Sequence, residues 1–478
     1  MDERSATEAP PLADPGSFVA DDDPATHGDP LQYPGYRDAL DRARSASGAD
    51  EAVSTGRGRI GGRDVELALF AFDYLAGSMG EVVGRRLAAA LERAARRRVP
   101  FVAHVATGGA RMQEGMRSLV QMGRIAAARA RLADARAPLV AVLANPSTGG
   151  VLVSLGALAD VTLAETGATV GFAGPRVVRR FTGTPLPEAS HTAASALAHG
   201  LVDDVVHPAD ARAAVARVLD ALAPDDDADV PPAPGERVAV PDDAWDALRA
   251  ARAPGRPRAP QLARAAADVL VELRGDRAGR DDDALLAAFA RVAGRRALVL
   301  ALDRNRAPGP GAYRKARRCV ETAARLGVPV VALVDTKGAD PSPASESEGI
   351  AWAVAELLDA LLRAPVPVIA IVTGEGGSGG ALAFAVADRV VVYADAVFSV
   401  ISPDLAAEIL WRDGGREADA ARLLRPAASD LVALGVADAI VEHPLGAPSL
   451  RHVIAAELDR ARDRGPLPDA RLDRWRRV

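Results

Sequence analysis

The chain has 478 residues, 49% of them hydrophobic and 26% charged, with a formal net charge of −6. That profile is an ordinary globular one with room for two or more domains, and it gives no reason to expect a nucleic-acid or membrane partner. The single cysteine, Cys319, excludes an intrachain disulfide and a multi-cysteine zinc ribbon, and the acidic Met1-Asp2-Glu3 start is unlike a signal peptide. The expected location is the cytoplasm. Positive charge comes almost wholly from arginine, the only lysines being Lys315 and Lys337.

Residues 1–55 are rich in Pro, Asp, Gly and Ser and lack apolar periodicity, so they read as a disordered segment, with a short docking helix near 33–46. The pattern then changes. A strand over 65–72 leads to Gly77-Ser78-Met79-Gly80 and a helix through Arg98, and strands over 101–106 and 139–143 each run into small residues and glycine. Short apolar strands alternating with longer helical stretches predict an α/β domain over 56–208. The acidic and proline-rich stretch around 224–234 marks 209–256 as a linker. A second α/β domain is expected over 257–460, followed by a peripheral basic tail, 461–478.

The chain also repeats itself. Ala-Arg-Arg-Arg-Val-Pro ending at Pro100 matches Ala-Arg-Leu-Gly-Val-Pro ending at Pro329, an offset of 229, and Gly109-Ala110 matches Gly338-Ala339 at the same offset. Gly149-Gly150 pairs with Gly379-Gly380 at 230, Ala159-Asp160 with Ala387-Asp388 at 228, and Asp203 with Asp438 at 235. Offsets this steady imply two diverged copies of one domain.

In each copy, two strands deliver glycine-rich turns that precede helices. The first copy has Thr107-Gly108-Gly109-Ala110-Arg111 and Ser147-Thr148-Gly149-Gly150; the second has Lys337-Gly338-Ala339 and Gly374-Glu375-Gly376-Gly377-Ser378-Gly379-Gly380. Glycine lets the backbone approach a ligand closely, and the free amides of a helix's first turn point at developing negative charge. Two such turns side by side make an oxyanion hole for a thioester enolate. Tight αβ connections alone also use glycine, but four turns at matching places in two copies favour the chemical reading. No G-x-x-x-x-G-K-[ST] phosphate loop, G-x-S-x-G elbow or H-E-x-x-H pair occurs, and the dinucleotide fingerprint lacks its acidic partner. His104, His199, His207 and His443 are scattered at strand or turn positions with structural roles, and Cys319 is packing on a helical run. Two holes without a protein base suggest that a substrate or cofactor supplies the base.

Residues 58–208 resemble the β subunit of bacterial acetyl-CoA carboxylase carboxyltransferase. The resemblance is carried by Phe72-Asp73-Tyr74-Leu75-Ala76-Gly77-Ser78-Met79-Gly80, by Gly108 to Gly115, by Ser147 to Val151 and by Gly171-Phe172-Ala173-Gly174-Pro175. Residues 257–448 resemble the α subunit through Gly275-Asp276-Arg277, Tyr313-Arg314-Lys315-Ala316, Gly374 to Ala383 and Ser399-Val400-Ile401-Ser402-Pro403. The resemblance implies two tandem crotonase-like (ClpP/crotonase) ββα spiral domains. It implies transfer of a carboxyl group from carboxybiotin, on a separate biotin carboxyl carrier protein charged by a biotin carboxylase, to acetyl-CoA or another short acyl-CoA, giving malonyl-CoA for fatty acid biosynthesis. Ala110, Gly149 and Gly150 would serve the acyl-CoA thioester, and Ala339, Gly379 and Gly380 would serve biotin. Gly108, Gly109, Arg111, Gly171, Gly174, Lys337, Gly338, Gly376 and Gly377 would bind substrate, without a metal, in a homodimer or larger assembly.

Three departures stand out. The family's β subunit begins with a four-cysteine zinc ribbon absent here, and the halves are fused β-then-α. The family's Asp-Thr-Pro-Gly-Ala-Tyr-Pro-Gly loop here reads Asp335-Thr336-Lys337-Gly338-Ala339-Asp340-Pro341-Ser342. Competing readings are a malonyl-thioester decarboxylase of the same fold and a non-catalytic scaffold.

Overall fold

The structure, a computed structural model, describes residues 12–464 and 468–477, and the chain divides after Leu219 into two compact units. Unit 1 carries strands β1 (Val19–Ala20), β2 (Val53–Ile60), β3 (Arg63–Phe70), β4 (Phe101–Thr107), β5 (Leu139–Thr148), β6 (Val161–Glu165), β7 (Val170–Gly171) and β8 (Asp204–Val206). Unit 2 carries β9 (Val269–Leu273), β10 (Leu285–Val292), β11 (Arg295–Leu302), β12 (Val330–Thr336), β13 (Val368–Gly377), β14 (Arg389–Tyr393), β15 (Val397–Ser399) and β16 (Ala439–Val441).

The two sheets have the same topology. Unit 1 runs β1-β2-β3-β4-β5-β6-β8 with β7 on β5, and unit 2 runs β9-β10-β11-β12-β13-β14-β16 with β15 on β13. In each, the first three strands pair antiparallel and the remainder parallel. The parallel strands are continuous apolar runs; Val330 to Val334, for example, is wholly buried, as strands covered on both faces require.

Register fixes the repeat. Phe101 pairs with Leu139 as Val330 pairs with Val368, and the ladders slip between Val105 and Thr107 and between Val334 and Thr336. The structural offset is therefore 229 through the turns, which corrects the match at 230: Gly149 corresponds to Ser378 and Gly150 to Gly379. Gly149 and Ser378 share a left-handed backbone, φ 67° and 58°. The aspartates of the repeat hold strand starts. Asp160 and Asp388 accept from the Leu139 and Val368 amides (2.8 and 2.7 Å), and Asp203 and Asp438 accept from the Thr162 and Val390 amides (2.9 and 2.7 Å).

Three expectations are corrected. Residues 12–55 are ordered: β1 joins β2, the helix Tyr36–Ser47 docks through Tyr36 and Leu40, and Leu12 is fully buried; residues 1–11 lie outside the described residues. Proline content misled because this segment draws its stability from unit 1's core rather than from its own composition. The 209–256 stretch is no free linker. It contains the helices Ala211–Ala221 and Ala244–Ala251, and Asp226 and Val238 donate backbone hydrogen bonds to Gly294 and Glu442 (2.9 and 2.8 Å). The tail beyond 460 is not peripheral either. The helix Pro468–Trp475 buries Arg471, whose guanidinium pairs with Asp388 and donates to the Val366 carbonyl at 2.8 Å. Basic composition alone gave no hint that one arginine fills a socket.

Candidate functional site

In unit 1 the turns after β4 and β5 touch. The Thr107 hydroxyl accepts from the Gly109 amide at 3.0 Å, the Gly108 amide goes to the Ala76 carbonyl at 2.8 Å, and the Arg111 amide to the Met79 carbonyl at 2.9 Å. Between these bonded neighbours, the Ala110 amide has no partner among the described residues. Gly149, the first residue of the next turn, donates to the Phe172 carbonyl at 2.9 Å, which leaves Gly150 in a first helical turn whose amides have no intrahelical acceptor. A Cβ on Gly149 would stand 2.7 Å from the Gly109 Cα. The two turns can meet only because both residues are glycine.

Unit 2 repeats the construction with different residues. Thr336 accepts from Gly338 at 3.2 Å and Asp340 donates to the Pro308 carbonyl at 2.9 Å, so the Ala339 amide between them is again unpartnered among the described residues. The helix Ser378–Ala385 begins beside it. A Cβ on Gly380 would stand 2.5 Å from the Ala339 nitrogen and 2.7 Å from the Tyr313 hydroxyl, whereas one on Gly379 would meet nothing within 4 Å. A Cβ on Gly377 would overlap the Lys337 carbonyl and one on Gly376 the Phe398 ring. Gly376 and Gly377 therefore let the turn pack closely against its neighbours.

Arg111, a residue expected to bind substrate, is built into the protein interior. Its side chain is 1% exposed and pairs with Glu51 at 2.6 Å and Glu114 at 3.3 Å, while Tyr36 donates to Glu114 at 2.6 Å. Those contacts brace the Ala110 turn. Gly171 lies in β7, packed against His191, and Gly174 caps the helix Pro175–Thr182 with open space where a Cβ would go. Lys337 is exposed on the turn before Gly338. His104 pairs with Glu165 at 2.9 Å and Cys319 is buried.

Sequence reasoning missed the supports of the unit 2 turns. Asp335, at the end of β12, is fully buried; one carboxylate oxygen accepts from the Glu375 amide at 3.1 Å and the other has no partner among the described residues. Burial pushes its pKa up to about 6, against the lowering pull of that amide and of Arg304 and Arg256. Arg252, from the stretch expected as linker, grips both Glu375 oxygens (2.7 and 2.8 Å) and Asp404 (2.9 Å), and Arg256 donates to the Thr373 carbonyl at 2.8 Å. The Tyr313 hydroxyl is buried without a partner among the described residues. No local signal marked these residues, because only the fold brings them beneath the glycines.

Among the described residues, no group of three or more His, Cys, Asp or Glu side chains converges as a metal site would need, and no helix is long and apolar enough to cross a membrane. Each unit offers amides without partners among the described residues on a glycine-lined floor, an arrangement that can stabilise an oxygen gaining negative charge.

Comparison with known proteins shows the family. Residues 241–461 match the acetyl co-enzyme A carboxylase carboxyltransferase-like family model. The acetyl-coenzyme A carboxylase carboxyl transferase subunits beta/alpha of Salinispora tropica is 43% identical over 95% of this chain and 84% of its own length. A probable biotin-dependent acyl-coenzyme A carboxylase beta3 subunit of Mycobacterium tuberculosis is 38% identical over 98% of this chain and 97% of its own. Among solved structures, a transcarboxylase 12S, described as a hexamer with methylmalonyl-coenzyme A bound, superposes with a TM-score of 0.77 and 25% identity, covering 94% of this chain and 88% of that one.

Proposed function

Since this chain belongs to the acetyl-CoA carboxylase carboxyltransferase family, with β-like and α-like halves in one polypeptide, we propose that it moves a carboxyl group from biotin to a short acyl-CoA, acetyl-CoA first among them, to give malonyl-CoA. Biotin enters as a substrate on another chain, charged with CO₂ elsewhere. The observation that carries the reading is the doubled turn pair, Ala110 with Gly150 and Ala339 with Gly379 and Gly380, built at one constant offset.

In this reading, the Ala110 and Gly150 amides hold the thioester oxygen, and the wall beside Gly150 is apolar, formed by Met79 and Met122. The Ala339 and Gly379 amides face the ureido oxygen, with Gly380 leaving the space in front of Ala339 clear. Breaking the bond between the ureido nitrogen and the carboxyl carbon releases CO₂ and leaves the electron pair on the ureido group. That nitrogen takes the α proton of the acyl-CoA, and the enolate carbon bonds to CO₂. Each hole steadies one of the two oxygens that carry charge, which accounts for having two of them and no protein base.

The exposed apolar side chains Phe172, Val177 and Phe181 in unit 1, and Val400, Leu405 and Ile409 in unit 2, suit burial in a homo-oligomer that acts with a biotinyl carrier protein and a biotin carboxylase. The test is biotin-dependent conversion of malonyl-CoA to acetyl-CoA by the purified chain. Turnover that requires biotin is the expected result; decarboxylation without biotin, or no turnover, overturns the reading.

A further inference from the structure

Tyr313 sits in the first turns of the helix Pro310–Leu326, its ring fully buried and tilted against Phe384 with centroids 5.5 Å apart. Its hydroxyl has no partner among the described residues. An unpaired hydroxyl in the interior is destabilising, and phenylalanine at the same place would avoid that cost. Such an atom calls for a partner that the polypeptide does not supply.

Its direction identifies the partner's place. The hydroxyl lies 2.7 Å from the point where a Gly380 Cβ would stand, and the Ala339 nitrogen lies 2.5 Å from that same point. A side-chain donor on a rigid helix and a backbone donor on the turn thus converge in the space that Gly380 keeps open. Burial, with the charge of Asp282 adding to it, pushes the phenol's pKa well above its ordinary value, so it keeps its proton at neutral pH and serves as a donor. At the offset of 229, unit 1 has Gly84 instead of a tyrosine, and a fully buried Val151 where unit 2 has Gly380.

We propose that the Tyr313 hydroxyl is a further donor of the unit 2 hole, hydrogen-bonding the ureido oxygen of biotin as charge builds on it, so that this hole alone is matched to the ureido ring. The inference rests on the carboxyl-transfer reading above. Tyr313 forms and breaks no covalent bond; it keeps its proton while the electron pair released by the departing CO₂ spreads onto the oxygen it faces.

Tyr313→Phe in the full chain tests this, with free biotin and malonyl-CoA as probes. Because the change removes an orphaned hydroxyl and keeps the ring, the variant's melting temperature without ligand is expected to equal or exceed that of wild type. Its affinity for malonyl-CoA is expected to stay unchanged, and the stabilisation given by saturating biotin to disappear. Biotin-dependent turnover is expected to fall on the order of 100-fold, the usual effect of losing one hole donor. Wild-type turnover and wild-type stabilisation by biotin in the folded variant overturn this inference alone. A variant that melts lower and loses malonyl-CoA affinity as well assigns Tyr313 to packing and also overturns it. A wild-type chain without biotin-dependent turnover takes down both the reading and the inference.

Discussion

The two turn pairs share one backbone plan and differ in what stands behind it. In unit 1 the floor is glycine against glycine, Gly109 on Gly149, with methionine sulfur and methyl groups beside Gly150 and a buried Glu51–Arg111–Glu114 cluster bracing the Ala110 loop. In unit 2 the equivalent of Arg111 is Asp340, whose carboxylate accepts from Ser342 and Ser345 (2.8 and 2.5 Å), and the floor rests on the polar groups Asp335, Tyr313 and the Arg252–Glu375 clamp. Duplication preserved the turn geometry that the proposed holes use, and divergence altered the walls. An apolar wall suits an acyl thioester, and a wall with buried polar groups suits a ureido ring.

The largest expected effects come from filling the holes. Gly380→Val puts side-chain carbon against the Ala339 nitrogen and the Tyr313 hydroxyl, and abolishes transfer with some loss of stability, since backbone must shift. Gly150→Val meets first the flexible Met122 side chain, 3.1 Å from the Cβ position, so transfer falls by about 3 kcal/mol of transition-state stabilisation, roughly 100-fold, while the melting temperature changes less. Steady-state rates and thermal melts of both variants measure this, and either folded variant at wild-type rate removes that hole from the mechanism.

Next in size is the contrast between braces. Arg111→Met strands Glu51 in the interior and is expected to cost about 3–5 kcal/mol, as breaking a buried pair does. Asp340→Ala loses hydrogen bonds at a partly exposed turn and is expected to cost about 1 kcal/mol. Urea denaturation of the two variants checks the ratio; equal losses would show that the braces do not differ as described.

The glycine turns were legible in the sequence, because a backbone that turns left-handed or packs tightly on another backbone leaves glycine behind. The repeat was legible too, since Asp160, Asp388, Asp203 and Asp438 each fix a strand start and so persist at nearly constant spacing. The supports were not. Tyr313 reads as one more residue of an amphipathic helix, and Asp335 as the end of a strand; their orphaned oxygens exist only once β12, β13 and the Pro310–Leu326 helix are packed. The order of residues 12–55 was hidden for a related reason: Glu51, Tyr36 and Leu12 are stabilised by partners far away in the chain.

Asp335 sharpens the comparison through pH, because unit 1 has Ala106 in its place. The fold raises the Asp335 pKa to about 6, above the unfolded value of about 3.9, so the folded state prefers the protonated acid. Its contribution is fully present below about pH 3.9 and is lost as pH rises through about 6, at up to about 1.4 kcal/mol per unit between them. Asp335→Asn cannot titrate. The stability difference between the two chains should therefore grow in favour of Asn across that window and level off above it. Denaturation of both proteins at matched pH values reads this directly, and a difference that stays flat with pH refutes the assignment.

The smallest expected effect belongs to Lys337, where the family has proline. Its ammonium is exposed beside the Ala339 hole, while its carbonyl is packed against Gly377, so side-chain charge is the part free to change. A flexible ammonium makes point-charge contacts with anionic groups, here the carboxylate carried on biotin or a CoA phosphate. Lys337→Gln keeps the backbone and removes the charge, whereas Lys337→Pro restores the family residue at some risk to the turn. The expected outcome for Gln is a KM several-fold higher for one substrate, kcat little changed, and a flatter dependence of that KM on ionic strength, since screening has less attraction left to remove. Varying each substrate in turn at two salt concentrations identifies which anion the lysine meets. If both KM values and both salt slopes match wild type, the lysine has no part in binding, and the two turn pairs differ only beneath the glycines.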